Sequence, residues 1–302
     1  KPIPHFNKGS IALILKEAQR RAGRRGKLSL RLRELGGLVR IAGDLAAEES
    51  AELTGPEHVT RARMIAKPLE QQVADRYLDR QAEYAMLVNS GNRVGRVNGL
   101  AVLGADSGLS DYSGVVLPVE AMVTPAQGMS GRVIATGGLS DLANESVTNI
   151  SAVVKKLTGK DIKDYDLHVQ FPGTHNVDGD SASITMATAI ISAFEGVPIE
   201  QNLAMTGSLS VRGEILPVGG VTAKIEAAAK SGIDRVVIPR ANMQDVLMDE
   251  KWEKKVEVLP VDSLDEVLQH ALVGAEEKVT LVERLAKVID TISKGTDTQP
   301  SA

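Results

Sequence analysis

Ser181 and Lys224 are the two residues whose types could perform covalent chemistry together. Ser181 lies in the stretch from Asp166 to Ile184, which reads as a short strand, a glycine-bearing loop and the start of a helix. A serine hydroxyl is a weak nucleophile until a neighbouring base takes its proton. At a helix N-terminus, unpaired N–H groups and the positive end of the dipole favour the negative charge that then develops. The same position suits an ordinary helix cap, a role open to Asp178, Asp180, Ser181 and Ser183 alike. Residue type alone leaves cap and nucleophile both open.

Lys224 is a base that could serve Ser181. It stands at the centre of Gly219-Gly-Val-Thr-Ala-Lys-Ile-Glu-Ala-Ala-Ala229, among small and apolar residues on a helix that opens after two glycines. An amine in water, with a pKa of about 10.4, keeps its proton at neutral pH, but burial lowers that value by several units. Once neutral, the amine could deprotonate Ser181. The other reading is a helical lysine pointing to solvent. A Ser-His-Asp set of Ser181, His168 or His175, and Asp178 is formally available, although such close sequence neighbours would be unusual in that geometry.

Other chemistries find few residues. There is no cysteine, which excludes disulfides, thiolate catalysis and cysteine zinc sites. The five histidines, His5, His58, His168, His175 and His270, show no paired ligand spacing, so no metal is expected. Thr158-Gly159-Lys160-Asp161 lacks the upstream glycine and the hydroxyl of a phosphate-binding loop. At 3% aromatic residues, the chain has little with which to stack nucleic acid bases, and no nucleic acid partner is expected. No run of about 18 apolar residues is present, so no membrane span is expected in these 302 residues. The composition and lack of cysteine suit a cytoplasmic setting.

Stepping from these residues to the elements that must hold them, the pattern divides near residue 90. Residues 1–90 carry 16 Lys and Arg against 11 Asp and Glu, a surplus best explained by solvated helix surfaces. Ile11, Ile14, Leu15, Ala18 and Ala22 give helical spacing, capped by Asn7 or Ser10 and ended by Gly23. Ser29 is expected to cap a second helix through Leu45, and Gly55-Pro56 to open a third tract reaching Tyr84, kinked or broken at Pro68. Residues 91–290 read as α+β: strands at 95–103, 114–123, 131–136 and 166–171, and a helix from about Asp141 to Lys156. The Ser181 helix follows, then a hairpin turning at Gly213, the Lys224 helix, strands at 235–239 and 256–260, and a helix from Ser263 to Leu272. A charged helix and a disordered tail at 291–302 are expected to close the chain.

Val177-Asp-Gly-Asp-Ser-Ala-Ser183, followed by Met205-Thr-Gly-Ser-Leu-Ser-Val-Arg-Gly-Glu-Ile-Leu-Pro-Val-Gly-Gly-Val-Thr-Ala-Lys224, resembles the proteolytic domain of the Lon proteases. The Gly-Asp-Ser-Ala-Ser form resembles the archaeal LonB branch, the interval of 43 residues from Ser181 to Lys224 matches the family's, and Gly95–Ala101 resembles its first protease strand. Residues 3–90 resemble the small helical subdomain of the AAA+ module. The resemblance implies a small all-α AAA+ subdomain followed by an S5-like α+β proteolytic domain.

By resemblance, Ser181 is the nucleophile and Lys224 the general base. Thr206 is similar to a threonine that orients both, Asp178 to an acidic loop position, and backbone near Asp180 and Ser181 to an oxyanion hole. Arg33, in Leu-Arg-Leu-Arg-Glu-Leu-Gly-Gly-Leu, resembles the nucleotide-sensing arginine of such subdomains, with Arg31 and Arg40 as competitors. The implied protein is an ATP-dependent serine endopeptidase that degrades unfolded or damaged proteins as a homo-hexamer. It would need no cofactor for the peptide-bond chemistry, and ATP and Mg would bind through a large AAA+ subdomain outside this sequence, where a membrane-anchoring segment would also lie. The alternative is a non-catalytic Lon-like module serving assembly or DNA engagement. Two departures stand out: the loop from His168 to Ser181 is one residue shorter than this branch leads one to expect, and Asp178 replaces the usual Glu.

Overall fold

The first helices form where the sequence supplies caps and an apolar stripe. A computed structural model of the chain describes residues 3–67, 69–84, 86–103, 113–126, 131–136, 150, 152–155, 164–172 and 180–273. Helix α1 (Lys8–Ala22) begins at Asn7, whose side chain accepts from the Ser10 N–H at 2.9 Å, and ends at Gly23 in the left-handed conformation. Helix α2 (Leu32–Glu48) has no side-chain cap. Ser29 instead accepts from the Arg31 N–H in the preceding turn, a local bond that competes with capping. Helix α3 (Pro56–Ile65) starts with proline at its first position, where the missing N–H costs nothing. Leu38, Ala42, Val59 and Ala62 form the core of this small all-helical unit.

The long helical tract expected to reach Tyr84 is two helices, α3 and α4 (Leu69–Glu83). Packing puts α4 with the sheet that follows rather than with α1 to α3, since its Ala74 and Leu78 are buried in the sheet's cores. The seven-stranded sheet explains why. Its order is β11 (Glu257–Val261), β10 (Arg235–Pro239), β7 (Leu203–Met205), β2 (Arg96–Leu103), β3 (Ser113–Pro125), β5 (Tyr165–Gln170) and β4 (Val133–Thr136). Strand β3 pairs with β2 from residue 113 onward but with β5 only from Glu120. Along the remaining edge Gln81 of α4 donates to the Val116 carbonyl at 3.0 Å, satisfying a group that would otherwise be orphaned.

Period-two alternation splits the sheet between two cores. Val115, Leu117 and Val119 of β3 pack with helix α5 (Ser183–Glu195), whereas Val116 packs with helix α6 (Val221–Lys230) on the other face. Short strands β1 (Asn92–Arg93) and β6 (Ile199–Glu200) pair with each other, as do β8 (Ser208–Leu209) and β9 (Ile215–Leu216) around a turn with Gly213 at φ 91°. A 3-10 segment (Arg240–Asp245), the short helix α7 (Glu250–Glu253) and helix α8 (Leu264–Ala271), capped by Ser263, complete the described part. The helix expected from Asp141 lies largely outside the described residues, of which 150 and 152–155 are helical, and the expected C-terminal helix and tail lie wholly outside them.

Candidate active site

Helices on opposite faces of one sheet can bring side chains together only past the end of a strand between them. Here that strand is β7, and the residue just beyond it is Thr206. The Ser181 backbone comes from a 3-10 turn (Asp180–Ala182) that leads into α5, and Lys224 comes from the second turn of α6. Ser181 is therefore not the N-cap of the α-helix, which is Ala182.

The segment Met205–Leu209 is stitched to the start of α5. The Gly207 N–H donates to the Ser181 carbonyl at 2.9 Å, and the Ile184 N–H to the Gly207 carbonyl at 3.3 Å. Ser183, one of the alternative caps in the sequence, serves this seam: its hydroxyl accepts from the Leu209 N–H at 2.7 Å and donates to the Gly207 carbonyl at 3.3 Å. Thr206 is fully buried, and its hydroxyl donates to the Ser181 carbonyl at 3.2 Å.

Lys224 does not point to solvent. It is 1% exposed, and its Nζ donates to Thr206 Oγ1 at 3.0 Å. One hydroxyl thus joins the lysine amine to the backbone of Ser181. A buried amine with a directional hydrogen bond has its remaining lone pair or protons aimed by that bond, and burial penalises its charged form. Helix α6 holds this lysine so deeply because Gly220, in the left-handed conformation at φ 67°, turns the chain into the helix, and because Gly114 at the start of β3 leaves room for it. A Cβ on Gly114 would lie 2.0 Å from the Ala223 carbonyl oxygen and 2.9 Å from the Lys224 backbone nitrogen. Gly114 escaped the sequence reading, where it served only as the first residue of a strand.

The other predicted positions divide. Asp178 and His175 lie outside the described residues, and of Asp180 only the backbone, in the 3-10 turn, is described. His168 is exposed on β5, between the buried Leu167 and Val169. Arg33 is exposed on the first turn of α2 and makes no ion pair among the described residues. No group of three potential metal ligands occurs among the described residues, nor is any described helix long and apolar enough to cross a membrane.

This arrangement is accompanied by matches along almost the whole chain. Residues 69–274 match the family model described as the Lon protease (S16) C-terminal proteolytic domain. The chain belongs to the Lon protease family. Residues 5–64 match the archaeal LonB AAA+ ATPase LID domain, which places it in the LonB branch, and the two matches meet between α3 and α4. An archaeal Lon protease of Thermoplasma acidophilum is 53% identical over 292 residues, covering 96% of this chain and 44% of the relative. One from Archaeoglobus fulgidus is 54% identical over 288 residues, 95% of this chain and 45% of the relative. Another, from Methanocaldococcus jannaschii, is 33% identical over 292 residues. The chain therefore spans less than half the length of these relatives. It combines an archaeal LonB LID with a Lon proteolytic domain, the α+β order expected from its sequence.

Proposed function

We propose that this chain is the C-terminal part of an ATP-dependent serine endopeptidase and hydrolyses peptide bonds with a Ser181-Lys224 dyad. The observation that carries the reading is the buried Lys224 amine, hydrogen-bonded to a threonine that is itself bonded to the Ser181 backbone. In this reading neutral Lys224 takes the proton from Ser181 Oγ, and the oxygen attacks the carbonyl carbon of the scissile peptide. The tetrahedral intermediate expels the amine, which receives the proton back from Lys224, and leaves an acyl ester on Ser181. Water, deprotonated by the same lysine, then releases the acid and restores the serine. Backbone N–H groups of the turn at Asp180 and Ser181 are the oxyanion donors, each worth about 3 kcal/mol in sites where one has been removed. Thr206 holds the amine in register.

ATP and Mg belong, in this proposal, to a large AAA+ subdomain in the rest of the protein. The exposed guanidinium of Arg33 fits a single contact to a phosphate. The whole protein is read as a homo-hexamer that degrades unfolded or damaged proteins in the cytoplasm, held at a membrane by a segment elsewhere in its sequence. The buried Lys224, joined through Thr206 to the Ser181 turn, supports the dyad over a non-catalytic module. Hydrolysis of an unstructured fluorogenic peptide tests the reading: Ser181→Ala and Lys224→Ala should each be inactive with unchanged circular dichroism. Undiminished turnover by Lys224→Ala would defeat it.

A further inference from the structure

Helix α6 has two working faces. At 3.6 residues per turn, positions two apart lie about 200° around the axis, so Lys224 and Glu226 leave α6 on nearly opposite sides. Lys224 enters the site, and Glu226 faces the helical unit. Arg20, near the end of α1, approaches Glu226 at 3.6 Å while holding Glu17 at 2.9 Å. Glu17 also accepts from Arg21 at 2.9 Å and lies 3.8 Å from Arg63 of α3, which in turn pairs with Asp249 beside α7. One turn further along α6, Lys230 reaches Asp75 of α4 at 2.8 Å. The outer face of the lysine helix is thus tied to α1 and α4, while its inner face rests against Gly114 with no slack.

These groups do not balance evenly. Burial pushes the Glu226 carboxyl above its usual range, with Arg20 opposing. Burial also pushes Glu17 up, but the Arg20 and Arg21 guanidiniums outweigh it and hold Glu17 below the usual range. Glu226 is therefore a costly charge at this interface, offset by Arg20.

We propose that Arg20 and Glu226 form the link through which the helical unit sets the position of Lys224, making both positioning residues for the dyad. A rigid helix of 10 residues pinned on its outer face transmits a shift of α1 to Lys224 Nζ, whose contact with Thr206 is only 3.0 Å long. The inference rests on the reading of Lys224 as the base.

The test uses the 302-residue chain and an unstructured fluorogenic peptide, comparing wild type, Lys224→Ala, Glu226→Gln, Arg20→Met, Arg20→Lys and the Arg20→Met/Glu226→Gln double variant. Each neutralising single variant should lose about tenfold in kcat with KM within about twofold, because displacement by part of an ångström weakens alignment rather than binding. The double variant should lose no more than the worse single, and Arg20→Lys should recover most of the rate. Glu226→Gln should melt no lower than wild type, a combination that a merely structural role would not produce. Crystal structures of wild type and Arg20→Met give a readout independent of turnover: the Lys224 Nζ to Thr206 Oγ1 distance should lengthen beyond 3.5 Å. Wild-type kcat in both singles, multiplied losses in the double, or an unchanged distance would overturn the link. Turnover surviving in Lys224→Ala would instead remove the dyad. An inert Lys224→Ala beside fully active singles would remove the link alone.

Discussion

Gly114→Ala should disable the site without touching any group that performs chemistry. The added Cβ would meet the Ala223 carbonyl oxygen at 2.0 Å and the Lys224 nitrogen at 2.9 Å, both backbone atoms of α6 that cannot rotate away. To restore an ordinary contact of 3.4 Å, α6 must retreat by about 1.4 Å from β3. The Nζ to Thr206 contact, now 3.0 Å, would then pass the limit of a hydrogen bond unless the lysine stem stretched to follow. A misplacement of that size costs about a hundredfold in rate, or ~2.7 kcal/mol of transition-state stabilisation. Overpacking should add ~1–3 kcal/mol of lost stability, which for a domain of this size lowers Tm by about 2–4 °C per kcal/mol. The assay is peptide kcat at a temperature well below the variant's Tm, with Gly219→Ala as control, since a Cβ there meets nothing within 4 Å. Wild-type kcat in Gly114→Ala would refute the claim that this seat sets the lysine.

Thr206→Val removes the hydroxyl shared by Lys224 and the Ser181 carbonyl. It should cost ~1–3 kcal/mol in denaturant unfolding and about 10- to 100-fold in kcat, with Thr206→Ser recovering most of both. Acid should loosen the contact between the helical unit and the sheet. Glu17 and Asp249 are pushed up by burial but held below their ordinary values of 4.5 and 3.8 by the guanidinium hydrogen bonds of Arg20, Arg21 and Arg63. A depressed carboxyl contributes stability that is present above its unfolded pKa and lost as pH falls through the lower folded value. Thermal melts should therefore drop from about pH 4 downward, and Arg63→Met should flatten that drop. Glu226 has the opposite sign: its raised carboxyl favours folding at low pH, and that contribution fades as pH rises through the folded value. Glu226→Gln should raise the melting temperature at pH 7 more than at pH 4.

Local signals read well from the sequence, and tertiary ones did not. Asn7, Gly23, Gly213 and Ser263 each act on backbone within a few residues, so caps and turns at those points follow from residue type. Ser29 misled because its hydroxyl had two local N–H choices and took the nearer turn. Helix α4 carries the same apolar spacing whether it packs on α3 or covers the free edge of β3, and only tertiary contacts, Ala74 and Leu78 in the sheet's cores and Gln81 on Val116, distinguish the two. The burial of Lys224 could be suspected from its small neighbours but depends on Gly114, 110 residues away in sequence, leaving space for the helix. The pairing of Glu17, Arg20 and Glu226 across α1 and α6 leaves no trace in spacing at all. Ser181 and Lys224 were legible mainly through family resemblance, since residue chemistry alone favoured a helix cap and a solvated lysine.

The most direct test of the dyad is covalent labelling of Ser181 by a small fluorophosphonate, followed by peptide mass spectrometry on wild type and Lys224→Ala. Only a serine whose proton is removed on demand reacts readily with such a reagent. Labelling confined to Ser181 in wild type, rising with pH as the lysine loses its proton and lost in Lys224→Ala, is the predicted result. Equal labelling of Ser181 in the two proteins would contradict Lys224 as its base.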